Sequence, residues 1–300
     1  MIRHLIRHLI RLSGTDVAKH RQVILQERIQ AFTKRAGRKP GLAVVIVGHD
    51  PASQVYVRNK VKTTLALGME SFHFELPESI SESDLIRKVK ELNQDPKVDG
   101  ILVQLPLPKS IRSDKVIEAI DPEKDPDGLT VGNLGLLMAG KKRVAPCTPW
   151  GVIAILEYYK IPIAGQNAVV VGRSNIVGKP MAQLLLDANA TVTICHSRTK
   201  DLGKFTREAD IVVVAAGQPR FMGREFFRKD AVVVDVGMHR PVSGDFAGKL
   251  CGDVKFEELE GWSSAATPVP GGVGPMTIQM LMENTVYLAE LSAELSREKE

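Results

Sequence analysis

The sequence predicts an α/β protein of two domains, each built from helices that cover a parallel sheet. Short apolar runs alternate with helical segments along the chain, and such alternation implies crossover connections between parallel strands. The pattern starts again beyond residue 148, which divides the chain in two. The 300 residues are 44% hydrophobic and 25% charged, which suits about two globular domains. We expect a flexible extension at 1–12, one domain formed by 13–148 with 275–300, and a second formed by 149–274.

In the first half of the chain, strand and helix signals are clearest around residue 50. Residues 42–47 are a β-branched apolar run ending at Gly48, and Pro51 and Ser53 then form a helix start signal. Residues 121–147 are rich in Asp, Pro and Gly, which favours a functional loop region. The predicted strands are 42–47, 72–76 and 100–104, and the predicted helices are 53–67, 84–92, 134–138 and 150–158.

In the second half, strands of the buried parallel type dominate, because their residues are apolar on both faces. A loop rich in Gly and Pro at 267–275 precedes a long final helix without a breaker, which we expect to complete the first domain. The predicted strands are 168–171, 191–195, 211–215 and 232–236, and the predicted helices are 177–187, 201–208, 223–229 and 277–296.

Composition argues against several classes of function. Arg3, Arg7 and Arg11 carry +3 of the net charge of +5, so all residues after 12 together carry only +2 and give no electrostatic case for nucleic-acid binding. No apolar run approaches the roughly 18 residues that a membrane span needs. The three cysteines form no CxxC pair and no zinc-ligand spacing, so we expect no metal site and a reducing, cytoplasmic compartment.

The N-terminus carries a short repeat, in which residues 2–5 recur as residues 6–9. On a helix, Ile2, Ile6 and Ile10 would form one stripe and the arginines another, as in a transit peptide or a membrane-surface helix. The alternative is a disordered extension before the folded domain. We favour the extension, because no signal-peptide core or cleavage site follows.

A glycine-containing turn joins the strand 168–171 to the next helix. Gly172 and Gly178 flank Arg173, Ser174 and Val177 there, at the place where a Rossmann-like unit binds pyrophosphate with backbone N–H groups and a helix N-terminus. The spacing departs from GxGxxG, since Ser174 occupies the second glycine position and the last glycine comes one residue late. An ordinary tight turn between strand and helix is the alternative.

The following strand bears on the type of dinucleotide. In NAD-binding sites an acid about 20 residues further on holds the ribose 2′-hydroxyl. Here His196, Ser197 and Arg198 follow the strand, and no acid comes before Asp201. With Arg173 from the turn, these side chains suit a 2′-phosphate and favour NADP over NAD. The alternative is that Arg198 only lies on a solvated loop and binds no cofactor.

Small residues follow two further strands. Ala216 and Gly217 come after one, and Val236 and Gly237 after the other. The carboxyl ends of parallel strands line the ligand crevice, so a flat nicotinamide could lie close to backbone here. Glycine that simply turns the chain is nearly as good an explanation for each pair.

Four side chains are candidates for chemistry. Tyr56 and Lys60 are four residues apart on a predicted helix and share one face, where a partly desolvated lysine can transfer a proton. Gln104 ends a strand and Asp127 lies in a tight turn, and an amide with a carboxylate would suit a pterin ring. Taken singly, each has an ordinary alternative: a surface lysine, a strand-end amide or an Asx turn.

Together these segments resemble the methylenetetrahydrofolate dehydrogenase/cyclohydrolase family. The similar segments fall in order over roughly 13–297: PASQVYVRNK at 51–60, GILVQLPLP at 100–108, KDPDG at 124–128, PCTPWG at 146–151, GRSNIVGKP at 172–180, VDVG at 234–237 and TPVPGGVGPMT at 267–277. The resemblance implies NADP-dependent oxidation of methylene-tetrahydrofolate and hydrolysis of the methenyl product. It implies a central catalytic role for Lys60, with Tyr56 and Gln104 around it. It also implies pterin binding by Asp127, cofactor binding by Arg173, Ser174 and Ser197, and a folate border at Pro268, Gly271 and Gly272.

Two positions depart from this family, which commonly has valine at Pro126 and an aromatic residue at Leu129. Proline fixes φ and removes a donor, so the role of Asp127 is less secure. The resemblance also implies a homodimer. A dehydrogenase of another small substrate, or a binding module without catalysis, would leave Tyr56, Lys60 and Gln104 unexplained.

Overall fold

The computed structural model describes residues 8–297 and confirms the predicted α/β class with parallel sheets. The strands are β1 (Ile10–Arg11), β2 (Gly41–Val47), β3 (Glu70–Leu76), β4 (Gly100–Val103), β5 (Asn167–Val171), β6 (Thr191–Cys195), β7 (Ile211–Val214), β8 (Val232–Asp235) and β9 (Ala265–Ala266). The helices are α1 (Gly14–Ala36), α2 (Pro51–Ala66), α3 (Glu82–Gln94), α4 (Ser113–Glu118), α5 (Val131–Met138), α6 (Cys147–Tyr158), α7 (Gly178–Asp187), α8 (Leu202–Thr206) and α9 (Val273–Arg297). These elements form two compact units.

The first unit comprises His20–Cys147 and the described chain from Ile278 onward. Its sheet has the order β3-β2-β4, with all pairs parallel. Every residue of β2 is buried, as expected for a central strand covered on both faces. Helix α3 begins where the Ser81 hydroxyl accepts from Asp84 N at 3.1 Å, and Leu85, Val89 and Leu92 form its buried stripe.

Helix α1 is an element that the sequence patterns above do not predict. Most of its length is charged or polar, although Leu25, Ile29 and Phe32 are buried at helical spacing. Within the first unit it is tied to α9 by two ion pairs, Arg21–Glu283 and Arg28–Glu290, both at 2.6 Å. The partners are seven residues, or about two turns, apart on each helix, so both ion pairs lie on the same face. Pairing with α9 therefore stabilises α1, whose hydrophobic pattern is weak.

The second unit comprises Thr148–Thr277 and the described residues up to Lys19. Its parallel sheet has the order β1-β9-β8-β7-β5-β6. The valine-rich strands β7 and β8 are wholly buried, and β5 is buried except at Asn167. The predicted helix at 223–229 is wrong: only a 3-10 turn, Arg224–Phe226, forms there.

Residues 8–12 differ from the expected flexible extension. Ile10–Arg11 is strand β1, where Ile10 N donates to Ser264 O at 3.0 Å and Leu12 N donates to Ala266 O at 2.8 Å. Leu9 and Leu12 are buried, so side-chain burial and strand pairing hold this segment on the sheet. Residues 1–7 of the expected extension lie outside the described residues.

Across residues 8–297, none of the helices combines the length and the apolar character that a membrane crossing requires.

Candidate active site

Helix α2 positions the candidate lysine. The helix begins where the Asp50 carboxylate accepts from Ser53 N at 2.8 Å, with Pro51 in its first turn. Tyr56 is partly exposed, one turn before Lys60. Thr64, one turn further on, donates its hydroxyl to the Lys60 carbonyl at 2.8 Å. The backbone around Lys60 is therefore held inside a regular helix.

Gln104 follows strand β4 and meets Lys60. Its backbone N donates to Val45 O at 2.8 Å, continuing the pairing with β2. Lys60 Nζ donates to Gln104 Oε1 at 3.0 Å, and Gln104 Nε2 donates to Leu105 O at 2.6 Å. Because a carbonyl accepts from the Nε2 end, the amide must present its oxygen to the lysine.

The turn that carries Asp127 is organised by a neighbouring carboxylate. Asp125 is 1% exposed, and its oxygens accept from Gly128 N (2.9 Å), Thr130 N and Oγ1 (2.8 Å each) and Asn133 Nδ2 (3.0 Å). Gly128 adopts φ 68°, and a β-carbon there would lie 2.8 Å from Ala145 C. Sequence reasoning missed Asp125, although Asp-Pro-Asp-Gly is a turn pattern.

Pro126, a departure from the family pattern, is buried in this turn. Its carbonyl accepts from Asn284 Nδ2 at 2.8 Å and from the Cys147 thiol at 3.3 Å. A β-carbon at Gly100 would lie 3.0 Å from Pro126 Cγ, so glycine in β4 lets the ring pack closely. Packing and hydrogen bonds together hold the backbone directly before Asp127.

The ionisable groups of this site shift one another's pKa values. Burial lowers the pKa of Lys60, and the nearby Asp127 carboxylate partly opposes this shift. Burial raises the pKa of Asp127, while Lys60 lowers it. Burial also raises the pKa of the Cys147 thiol well above its usual value, which keeps Cys147 protonated and able to donate. The structure thus brings Lys60, Gln104 and Asp127 together, with an amine that loses its proton more readily than a solvated lysine.

In the second unit, the turn after β5 forms a narrow backbone cradle. Gly172 has φ 144°, and a β-carbon there would overlap Ala215 O, while one at Gly178 would overlap Gly172 O. Ser174 Oγ accepts from Val177 N at 3.2 Å and Gly178 N at 3.3 Å at the start of α7. This cradle is the space that a pyrophosphate needs against a helix N-terminus.

Cationic side chains accompany the cradle. Arg173, Ser197 and Arg198 are exposed, and among the described residues neither arginine has an ion-pair partner. The turn after β6 is fixed by His196, whose Nδ1 accepts from Arg198 N at 3.1 Å. Thr199 Oγ1 accepts from His196 N at 2.8 Å. The backbone cradle and the guanidinium donors fit a dinucleotide that bears an additional phosphate.

Two buried carboxylates, both missed by sequence reasoning, organise the loops after β7 and β8. Asp253 accepts from Ala216 N, Gly217 N and Gln218 N at 2.7, 3.0 and 2.9 Å. Asp235 accepts from Gly237 N, Asp253 N and Val254 N, each at 2.9 Å. The predicted cofactor residues Ala216, Gly217 and Gly237 therefore belong to one hydrogen-bonded group, and Val236 lies within the same loop.

The segment around residue 270 belongs to the second unit, whereas Lys60 belongs to the first. A β-carbon at Gly272 would overlap Pro268 O, and the Gly271 carbonyl accepts from Thr15 N at 3.1 Å. These contacts give the loop a defined backbone. Among residues 8–297, no three His, Cys, Asp or Glu side chains form a group suited to a metal ion.

Family models match both parts of the chain. Residues 12–127 match the tetrahydrofolate dehydrogenase/cyclohydrolase catalytic domain, and residues 146–293 match the NAD(P)-binding domain of the same family. The chain is 56% identical over 282 residues to the bifunctional protein FolD of Bdellovibrio bacteriovorus, covering 94% of this chain and 97% of that protein. It is 54% identical over 283 residues to the bifunctional protein FolD of Burkholderia lata, with the same coverage.

Solved structures give the same result. The bifunctional FolD methylenetetrahydrofolate dehydrogenase/cyclohydrolase from Campylobacter jejuni superposes with a TM-score of 0.91 at 45% identity, covering 95% of this chain and 99% of that chain. The Trypanosoma brucei N5,N10-methylenetetrahydrofolate dehydrogenase-cyclohydrolase, complexed with NADP cofactor and inhibitor, superposes with a TM-score of 0.90 at 38% identity and the same coverage. This chain therefore belongs to the tetrahydrofolate dehydrogenase/cyclohydrolase family.

Proposed function

We propose that this chain is a bifunctional enzyme of one-carbon metabolism. It oxidises 5,10-methylenetetrahydrofolate to 5,10-methenyltetrahydrofolate with NADP, and then hydrolyses the methenyl compound to 10-formyltetrahydrofolate. Family membership supports both activities, since the curated relatives at 54% and 56% identity are bifunctional proteins. The observation that carries the proposal is the hydrogen bond from Lys60 to Gln104, beside the charge of Asp127.

In the hydrolysis, Lys60 acts as the base. Its lowered pKa increases the fraction of neutral amine near neutral pH. A neutral amine can donate one hydrogen to Gln104 Oε1 and keep its lone pair for water. Water adds to the cationic methenyl carbon and gives one proton by way of Lys60 to solvent; the C–N5 bond then breaks as N5 takes the second proton and the carbon becomes the formyl group on N10. Tyr56 is on the same helical face as Lys60, where it shapes the access to the amine.

In the oxidation, the protein binds and orients rather than forming a covalent intermediate. When bound, NADP accepts a hydride from the methylene carbon. Asp127 binds the pterin, whose donors match a carboxylate, and Pro268, Gly271 and Gly272 border the folate. The buried Asp125 supports Asp127 by holding its turn.

NADP is bound by the second unit. The residues proposed to contact it are Gly172, Arg173, Ser174, Val177, Gly178, His196, Ser197, Arg198, Ala216, Gly217, Val236 and Gly237. Arg173 and Arg198 select the additional phosphate, because both are exposed without an ion-pair partner among the described residues. In this division, 149–274 is the cofactor domain, and 13–148 with 275–300 is the folate domain.

The assembly is a homodimer and the compartment is the cytoplasm. Strand β6 supports the first proposal, since it lies at the edge of its sheet with Ile194 exposed. The three cysteines, none in a disulfide, are consistent with a reducing compartment. Light scattering on the purified chain tests the dimer, and a monomer at working concentration would contradict it.

The test of the central proposal uses Lys60→Met, with Lys62→Met as a control on the same helix. Lys62 is exposed. We expect Lys60→Met to lower the hydrolysis rate of the methenyl chromophore by about 100-fold or more, as for removal of a general base. Lys62→Met should retain wild-type rates. Equal hydrolysis by both variants would exclude Lys60 as the base. Wild-type chain that reduces NADP with methylenetetrahydrofolate but fails to hydrolyse the methenyl form would be a dehydrogenase only.

A further inference from the structure

We propose that Asp253 and His239 are positioning residues that hold the two nicotinamide-side loops of the second unit in a cofactor-ready conformation. The loops are 215–218 after β7 and 236–239 after β8. This inference rests on the proposed function, because those loops contain Ala216, Gly217, Val236 and Gly237. It adds two residues that touch neither cofactor nor folate in the proposed mechanism.

The first loop is specified by a buried anion. Three consecutive backbone amides, Ala216, Gly217 and Gln218, converge on the Asp253 carboxylate at 2.7, 3.0 and 2.9 Å. Gly217 has φ 69°, a conformation that helps successive amides to face one acceptor. Asp253 is buried, so its carboxylate is held away from bulk water with these amides as its partners.

The second loop is tied to the same carboxylate. His239 Nε2 lies 2.6 Å from Asp253 Oδ1, and since the carboxylate accepts, Nε2 carries the hydrogen. The His239 backbone is fixed by paired bonds with Cys251, at 2.8 and 3.0 Å. At Gly237 a β-carbon would lie 2.5 Å from Asp253 Cγ, so the loop runs directly against this side chain.

Asp235 completes the connection from the sheet. It ends β8, and its Oδ1 accepts from both Asp253 N and Gly237 N at 2.9 Å. Asp253 therefore has a fixed backbone and one orientation, from which it reaches both loops. In Asp253→Asn only one acceptor oxygen remains, and the amide nitrogen that replaces the other would face donors, so the hydrogen bonds to both loops would weaken and the loops would relax.

Substitution of Asp253 or His239 should therefore affect the NADP-dependent oxidation but not the hydrolysis. Relaxed loops should weaken NADP binding, whereas Lys60, Gln104 and Asp127 belong to the other unit and use none of these bonds. A general loss of stability would instead lower both activities together. A selective effect on the oxidation thus distinguishes positioning from a merely structural role.

The experiment compares Asp253→Asn, His239→Leu and His239→Gln with the control Asp245→Asn, an exposed loop carboxylate. The leucine variant removes the donor to Asp253, and the glutamine variant retains an N–H close to the position of Nε2. The measurements are the NADP dissociation constant by fluorescence, KM for NADP and kcat of the dehydrogenase, the rate of methenyl hydrolysis, and amide hydrogen exchange at 216–218.

For Asp253→Asn we expect the NADP dissociation constant to rise about 10-fold or more, the effect of one lost charge-assisted hydrogen bond. Exchange at 216–218 should accelerate, with hydrolysis within about twofold of wild type. His239→Leu should weaken NADP binding about threefold to 10-fold, and His239→Gln should restore most of it. Should Asp253→Asn fail to fold, the two His239 variants decide the question.

Wild-type NADP affinity and wild-type exchange in His239→Leu would overturn the inference. A parallel loss of hydrolysis and NADP binding in the variants would also overturn it. Failure of the proposed function is recognised separately, because the unsubstituted chain would then not bind NADP. In that case, exchange at 216–218 alone decides whether Asp253 and His239 order the loop.

Discussion

Lys60 Nζ lies 3.0 Å from Gln104 Oε1, and the amide is held in that orientation because Gln104 Nε2 donates to Leu105 O at 2.6 Å. A glutamine in this orientation accepts from the amine but adds no charge. The lowered pKa of Lys60 therefore reflects burial, opposed mainly by Asp127. This balance makes the acid–base behaviour of the site sensitive to charge at position 104.

Gln104→Glu should move the pH profile of hydrolysis to higher pH. A carboxylate at hydrogen-bond distance raises the pKa of the lysine by about one unit or more, so a given rate is reached only at higher pH. The measurement is the hydrolysis rate between about pH 6 and pH 10, a range below the ordinary lysine pKa of about 10.4. Gln94→Glu adds the same charge at the exposed end of α3 and is the control. A profile that coincides with wild type would contradict the role of Lys60 as base.

Removal of both guanidinium groups from the cradle should weaken NADP binding selectively. In Arg173→Ala with Arg198→Ala, we expect the dissociation constant of NADP to rise about 10-fold to 100-fold, because hydrogen bonds to charged groups contribute on the order of 2 kcal/mol. NAD, which lacks the additional phosphate, should be little affected. Fluorescence titration with both cofactors measures the difference, and Lys204→Ala on α8 is an exposed control. An equal loss for NAD and NADP would show that these arginines do not select the phosphate.

Asp125→Asn should destabilise the first unit and slow hydrolysis. The carboxylate accepts four hydrogen bonds while 1% exposed, and an amide nitrogen in its place would face donors. We expect a loss of about 3 kcal/mol in the free energy of unfolding, measured by urea denaturation. Asp114→Asn, an exposed carboxylate in the first turn of α4, should change stability by less than about 0.5 kcal/mol. If the two variants are equally stable, the turn around Asp127 does not depend on Asp125.

Asp235 should make the stability of the second unit depend on pH. Burial raises its pKa to about 7, although three backbone N–H groups oppose the shift. The folded chain then binds a proton that the unfolded carboxyl has already lost, so this contribution to the free energy of unfolding is full below about pH 4 and is lost as pH rises towards 7. Within that window the loss is about 1.4 kcal/mol per pH unit.

Denaturation of wild type and Asp235→Asn at about pH 5 and pH 8 isolates the contribution of Asp235 titration to the free energy of unfolding, because asparagine does not titrate. Wild type should lose more stability than the variant between the two values. Asp230→Asn is the matched control, since asparagine tolerates the left-handed backbone at Asp230, φ 65°. A stability difference between wild type and Asp235→Asn that is the same at both pH values would rule out titration of Asp235.

Much of the fold follows from local pattern. Strands β2 and β7 are apolar over their whole length, and β5 and β8 are apolar except at Asn167 and Asp235, which is the pattern of a buried parallel strand. Helix α1 escaped prediction because its buried Leu25, Ile29 and Phe32 are diluted among charged residues. The segment 223–229 is the opposite case, because it was predicted as a helix and forms only the 3-10 turn Arg224–Phe226.

For the candidate site, spacing within one element was sufficient to relate Tyr56 to Lys60, and Gly172 to Gly178, because a helix or a turn has fixed geometry. No local pattern relates Gln104 to Lys60 across 44 residues: the family resemblance implied that they lie together, and the tertiary structure shows their hydrogen bond. The tertiary structure alone brought Asp253 to the amides of Ala216, Gly217 and Gln218, which are 35 to 37 residues away. The physical reason is that a buried carboxylate is specified by donors on strands and loops that are neighbours only in the folded sheet, and no local periodicity records such a meeting.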